Sequence, residues 1–137
     1  MKEIILIVIS LLTPKADSTF KIIQDSYKIE AARYNIILPE KEIQFKLTAN
    51  LTDDTLAVSE EITKVKFIVS INLGYYIYII HEQGKLYTLL YHEFTHIYLN
   101  KDDCNRCFSI MNYNFVEIDI LNNPHRKKFL YNLFKDD

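Results

Sequence analysis

Apolar residues recur three and four apart at Phe20, Ile23, Tyr27 and Ala31. This is the spacing of a helix that buries one face, and it predicts a helix from Asp17 to Arg33. Ahead of it, the run Ile4-Ile5-Leu6-Ile7-Val8-Ile9 is rich in β-branched residues, which predicts a buried first strand. The same stretch also fits a short signal peptide, with Lys2, an apolar core to Leu12 and then Ala16, although Pro14 and Lys15 make a poor cleavage context. From Glu42 to Thr48 the chain alternates, Ile43, Phe45 and Leu47 on one side and Gln44 and Lys46 on the other, as a half-buried strand requires. Residues 49–63 are polar and irregular.

Alternation returns at Val65, Phe67, Val69 and Ile71, and after Asn72-Leu73-Gly74 comes Tyr75-Tyr76-Ile77-Tyr78-Ile79-Ile80, so a hairpin is expected. Gly84 opens a stretch without Pro or further Gly from Lys85 to Leu99, predicted as a second helix of about four turns. A loop from Asn100 to about Tyr113 follows, then a short strand at Phe115 to Ile120, then a last helix begun by Asn123-Pro124 and ending near Phe134. The order β-α-β-β-β-α, loop, α predicts an α+β fold. Its sheet is expected to be twisted and mixed, of four or five strands, with a backing helix, the Lys85–Leu99 helix and a C-terminal helix.

Composition bounds the function. A chain of 137 residues, 49% hydrophobic and 25% charged, is the size of one domain, expected to span residues 1–137. A net charge of -2 provides no positive field for nucleic acid or anionic lipid, so neither is an expected partner. The basic cluster His125-Arg126-Lys127-Lys128 is expected to be a solvated helix face. No apolar run is long enough to span a bilayer. Two glycines rule out a Gly-rich phosphate loop, and two cysteines cannot build a disulfide framework. A cytoplasmic location is expected, or export if residues 1–16 are a signal peptide.

The chemistry sits in His92-Glu93-Phe94-Thr95-His96. Histidines at i and i+4 project from one helix face, where both imidazoles can hold one cation, and the glutamate between them is placed to act as general base. Zinc suits such a pair, because as a Lewis acid it lowers the pKa of water and polarises a carbonyl. On a helical wheel Glu93 falls inside the apolar arc of Leu86, Leu89, Leu90, Phe94 and Ile97. A carboxylate there requires a basic partner or a catalytic cavity. The expected function is therefore a zinc-dependent metallopeptidase, a hydrolase of peptide bonds acting on a peptide or protein substrate.

Two histidines leave a catalytic zinc one protein ligand short. The segment HEFTHIYLNKDDCNRCFSIMNY resembles the metzincin signature, His-Glu-x-x-His-x-x-Gly-x-x-His/Asp followed by a methionine-containing turn, over about 22 residues. The resemblance implies a zincin-like fold with the Lys85–Leu99 helix as active-site helix, and a third metal ligand at Asp102, six residues after His96. It also implies that Met111 floors the site and that Tyr113, two residues on, stabilises the oxyanion. The family's Gly is Leu99 here. If the helix instead ends at Asn100, which tolerates the left-handed conformation of a C-cap, the ligand slips by one to Asp103. The compact archaemetzincins are the nearest comparison, with cysteines between third ligand and methionine. Cys104 and Cys107 lack the downstream partners for a second zinc, which leaves them to bridge, stay reduced or ligate the catalytic metal.

Three alternatives stay open. Glu117, 21 residues after His96, would complete a gluzincin-like site, but its surroundings Phe115 to Ile120 read as a strand. A minimal peptidase could share only the HExxH motif, and a non-catalytic zinc-binding module could retain the ligands without activity. A substrate would lie extended along a sheet edge, for which Tyr75 to Ile80 is the candidate.

Overall fold

The computed structural model describes residues 2–52 and 54–135, with side chains from residue 15 onward. Helix α1 spans Lys2–Arg33, strand β1 Glu42–Thr48, β2 Ala57–Glu61 and β3 Lys66–Asn72. Helices α2 (Leu73–Ile79), α3 (Gln83–Leu99) and α4 (Arg126–Phe134) follow, with a 3-10 turn at Tyr113–Phe115 between the last two. The fold is mixed α+β. Among the described residues the sheet has three strands, in the order β1-β3-β2, rather than four or five. β1 runs parallel to β3, from Glu42↔Lys66 to Thr48↔Asn72, and β2 antiparallel to it, from Ala57↔Ile71 to Glu61↔Phe67.

The missing strands have separate causes. The backbone over Ile4–Ile9 is helical and continuous with the Asp17–Arg33 segment, so no first strand forms. β-branched residues cost a helix only a few tenths of a kcal/mol each, about the spread among ordinary residues. The run Tyr75 to Ile80 is contiguously apolar, without the alternation of a half-buried strand, and it forms α2 instead. Asn72 starts that helix, its Oδ1 accepting from Tyr75 N at 3.1 Å. Leu73, Tyr76 and Ile79, three apart, are buried, while Ile77 and Tyr78 face solvent. The hairpin partner of β3 is therefore β2, within the segment expected to be irregular, and β2 rather than Tyr75–Ile80 supplies the sheet edge. The short strand expected at Phe115 to Ile120 is also absent, replaced by the 3-10 turn and further turns.

The helical period of α1 is realised in packing, since Phe20, Ile23, Tyr27 and Ala31 are all fully buried. Full burial of such large apolar side chains contributes about 1.5–3 kcal/mol each. Tyr27 is the centre of a ring cluster with Tyr91, Phe94, Tyr98 and Phe134, at centroid distances of 5.2–5.8 Å. Its hydroxyl pairs with Thr95 Oγ1 at 2.9 Å, Ser26 Oγ pairs with Tyr91 OH at 2.6 Å, and Gln24 Nε2 donates to Tyr98 OH at 2.8 Å. Burial pushes the Tyr91 phenol up to about 12 and those of Tyr27 and Tyr98 upward too, so all three stay neutral well above physiological pH. This network fixes the back of α3 against α1.

Thr88 and Gly84 fix the start of α3. Thr88 Oγ1 donates to Ile118 O at 2.6 Å and accepts from Ile120 N at 3.0 Å, which stitches the segment before α4 onto the helix. Gly84 permits that approach, because a Cβ there would lie 1.5 Å from Asp119 Oδ1. The basic cluster is solvated only in part: Arg126 reaches the buried Glu30 at 3.3 Å, and Lys128 Nζ sits 4.5 Å from the Phe108 ring centroid. Among the described residues no helix is long and apolar enough to cross a membrane.

Candidate metal centre

His92 and Glu93 lie in the stretch of α3, residues 88–95, that is buried throughout, and His96 follows one turn on, half-buried. Around the histidines this helix is covered by α1 behind, β2 in front and the loop after Leu99 at the side. The helix ends at Asn100, whose φ of 52° and ψ of 36° place it in the left-handed region, and its N–H donates to Thr95 O. Asn tolerates that conformation better than other non-glycine residues, which explains how the chain turns without the family's Gly at position 99.

The turn returns the chain to the histidines. Lys101 O lies 2.6 Å from His96 Nδ1, and Ile110 O lies 2.7 Å from His92 Nδ1. A carbonyl only accepts, so each Nδ1 donates to it, which leaves Nε2 as the nitrogen available to a metal. Those two Nε2 atoms are 3.1 Å apart, and Asp103 Oδ1 lies 3.1 Å from the first and 2.9 Å from the second. Ring nitrogens and a carboxylate oxygen at that range are held together by a cation or by a proton on one Nε2. A tetrahedral zinc with ligand bonds of about 2.0–2.2 Å sets its ligands about 3.3–3.5 Å apart. The cluster is within a few tenths of an ångström of that, and the donor set of two imidazoles and one carboxylate suits zinc.

The metzincin resemblance implies Asp102 as the third ligand, or Asp103 if the helix ends at Asn100. The structure brings Asp103, not Asp102, to the two histidines, and Asp102 lines a separate cavity with Lys101, Cys104, Cys107 and Met111. The helix is capped at Asn100, one residue beyond the position where the metzincin signature has Gly. Glu117 is exposed and outside the cluster, and the cysteines are joined to each other as a disulfide, with Cα atoms 5.9 Å apart. Neither completes the cluster.

The segment around Met111 is folded tightly. Ser109 Oγ accepts from Met111 N at 3.1 Å, Ser109 O accepts from Asn112 N at 3.0 Å, and Met111 O accepts from Cys104 N at 3.0 Å. Asn112 Nδ2 donates to Cys107 O at 3.0 Å. Met111 is buried in the core, and the carbonyl just before it orients His92.

A cleft of about 460 Å³ opens over the cluster. Residues 54–59 form one wall, Leu89 and Val116 an apolar floor, and His92, Glu93, His96, Asp103 and Tyr113 the polar side. Tyr113 is 67% exposed at its rim. Glu93, only 5% exposed, opens onto this cleft as its position in the apolar arc required, and its Oε2 accepts a hydrogen bond from Ser59 Oγ on β2. Ser59 carried no sequence signal, being a common residue on a polar edge strand, and the two orienting carbonyls belong to the backbone. No protein-family model, no curated protein and no solved structure matches this chain.

Proposed function

We propose that the chain is a zinc-dependent peptidase with a zincin-like site, in which His92, His96 and Asp103 hold the metal and Glu93 is the general base. The observation that carries this reading is the convergence of two Nε2 atoms and one carboxylate oxygen, beside a buried carboxylate open to the same cleft. Bound zinc would supply Lewis acidity, polarising the scissile carbonyl and lowering the pKa of water. The rest falls to the chain's own groups. Glu93 takes the proton of the attacking water and delivers it to the leaving amine, a role that suits a carboxylate shielded from bulk solvent. Tyr113 lines the same cleft and would donate a hydrogen bond from its phenol to the developing oxyanion.

The peptide lies along β2. Leu56 O accepts from Asn72 N, and Ile62 N donates to Lys66 O, so even-numbered residues turn their main-chain groups toward β3. Alternation along the strand then points the N–H and C=O of Ala57, Ser59 and Glu61 to the free edge, where an extended substrate gains hydrogen bonds as an added strand. No Lys or Arg lines the cleft among the described residues, so a free C-terminal carboxylate would find no counter-ion there. Trimming from the C-terminus is therefore the disfavoured mode.

The test is to titrate zinc into wild type and Glu93→Gln, then profile both on a mixed peptide library by mass spectrometry. One tightly held zinc in each, with cleavage by wild type alone and turnover lowered about 10²–10⁴-fold in the variant, is expected. Zinc held without cleavage by either would favour a non-catalytic zinc-binding module.

A further inference from the structure

A general base must be aimed as well as buried. The terminal torsion of a glutamate is a broad two-fold rotor, and a carboxylate with no fixed donor can present either oxygen over a range of angles. Glu93 is not in that position, because Ser59 Oγ donates to its Oε2. Ser59 sits mid-strand in β2, opposite Val69, with its own N–H and C=O turned to the free edge of the sheet. One residue therefore faces the base through its side chain and the substrate strand through its main chain.

We propose that Ser59 is a positioning residue for the peptidase chemistry. Its hydroxyl holds Oε2 and leaves Oε1 as the oxygen that takes and returns the proton. Its main-chain groups set the register of the peptide, so the scissile bond and the base are referenced to the same residue. This inference rests on the peptidase reading above. The hydroxyl also supplies a hydrogen bond to a carboxylate that is nearly removed from water, and such charge-assisted bonds are stronger than neutral ones.

The expected effects separate aim from binding. Ser59→Ala keeps the main-chain contacts, so KM stays within about twofold while kcat falls about 10- to 100-fold, as the loss of one orienting partner does. Zinc affinity is unchanged, and Ser59→Thr, which restores a hydroxyl on a strand-favouring residue, recovers most of the turnover. A second readout needs neither zinc nor substrate: a double-mutant cycle of Ser59→Ala and Glu93→Ala on unfolding of the metal-free protein. Coupling of about tenfold in the unfolding equilibrium is expected for a hydrogen bond to a charged group. Additive unfolding effects, a loss confined to KM, or a threonine variant no better than alanine each overturn the proposal. A zinc-loaded wild type that cleaves no peptide removes the peptidase reading and this inference with it. Normal wild-type turnover with an unimpaired Ser59→Ala removes the inference alone.

Discussion

His92 stands in a stretch of α3 whose residues 88–95 are all buried, whereas Asp103 belongs to an irregular loop and leaves 66% of its side chain in solvent. Both reach the same point in space. On α3 the placement follows from the helix itself, since i and i+4 side chains share a face and the Tyr27 cluster holds the helix still. On the loop it follows from a chain of short-range events: the left-handed turn at Asn100, the Lys101 carbonyl on His96, and the knot of hydrogen bonds around Met111. In the proposed site the helix therefore supplies a preorganised pair of ligands, and the loop supplies one whose position rests on the turn at Asn100 and the hydrogen bonds around Met111.

The difference is measurable first as metal affinity. His92→Ala removes a buried, pre-aimed ligand with an orienting carbonyl behind it, and zinc affinity should fall on the order of 10³-fold, beyond the 10- to 100-fold that even an outer partner's loss brings. Competition against a chromogenic chelator would show it. A drop of less than tenfold would mean that the helix is not the principal anchor.

The loop ligand should matter less, because water can take the place of an exposed carboxylate. Asp103→Ala is expected to weaken zinc by about 10- to 100-fold, and Asp102→Ala by less than about twofold, in the same assay. The reverse order would restore the six-residue spacing of the metzincin signature.

Packing under the helix gives the next effect. Gly84→Ala drives a methyl into Asp119, whose Oδ1 also accepts from Leu121 N at 3.0 Å, and loosens the segment that Thr88 holds. A loss of about 1–3 kcal/mol is expected, seen as a Tm lower by roughly 2–10 °C, because overpacking against a backbone-tethered group has little room to relax. An unchanged Tm would show that the 118–120 segment moves freely over α3.

What was legible in the sequence divides along the same line. Periodic, one-sided elements could be read: the second half of α1, β1 to its end residues, α3 and α4. Phe20, Ile23, Tyr27 and Ala31 could be named as a buried face because a helix repeats its environment every turn. β2 was hidden because Ala57-Val58-Ser59-Glu60-Glu61 is a mostly exposed edge strand, with no apolar alternation to mark it. α2 and the start of α1 were misread because an apolar run without period does not distinguish strand from helix. The HExxH residues were legible since local helix geometry decides their placement. The choice between Asp102 and Asp103 was not, because it turns on one residue's backbone angle.

That residue gives the smallest and sharpest test. Asn100 holds φ at 52°, where glycine pays no steric cost and a β-branched residue does. Asn100→Gly should leave zinc affinity within about twofold and stability within about 1 kcal/mol. Asn100→Val should lose about 1–2 kcal/mol in denaturant unfolding. If the turn is what delivers the loop, the valine variant also weakens zinc several-fold, because the Lys101 carbonyl on His96 and the Asp103 carboxylate both follow from it within three residues. A valine variant that is destabilised yet binds zinc like wild type would place control of the third ligand downstream. The hydrogen bonds of Cys104 N to Met111 O and of Asn112 Nδ2 to Cys107 O would then do from one end of the loop what the helix cap was expected to do from the other.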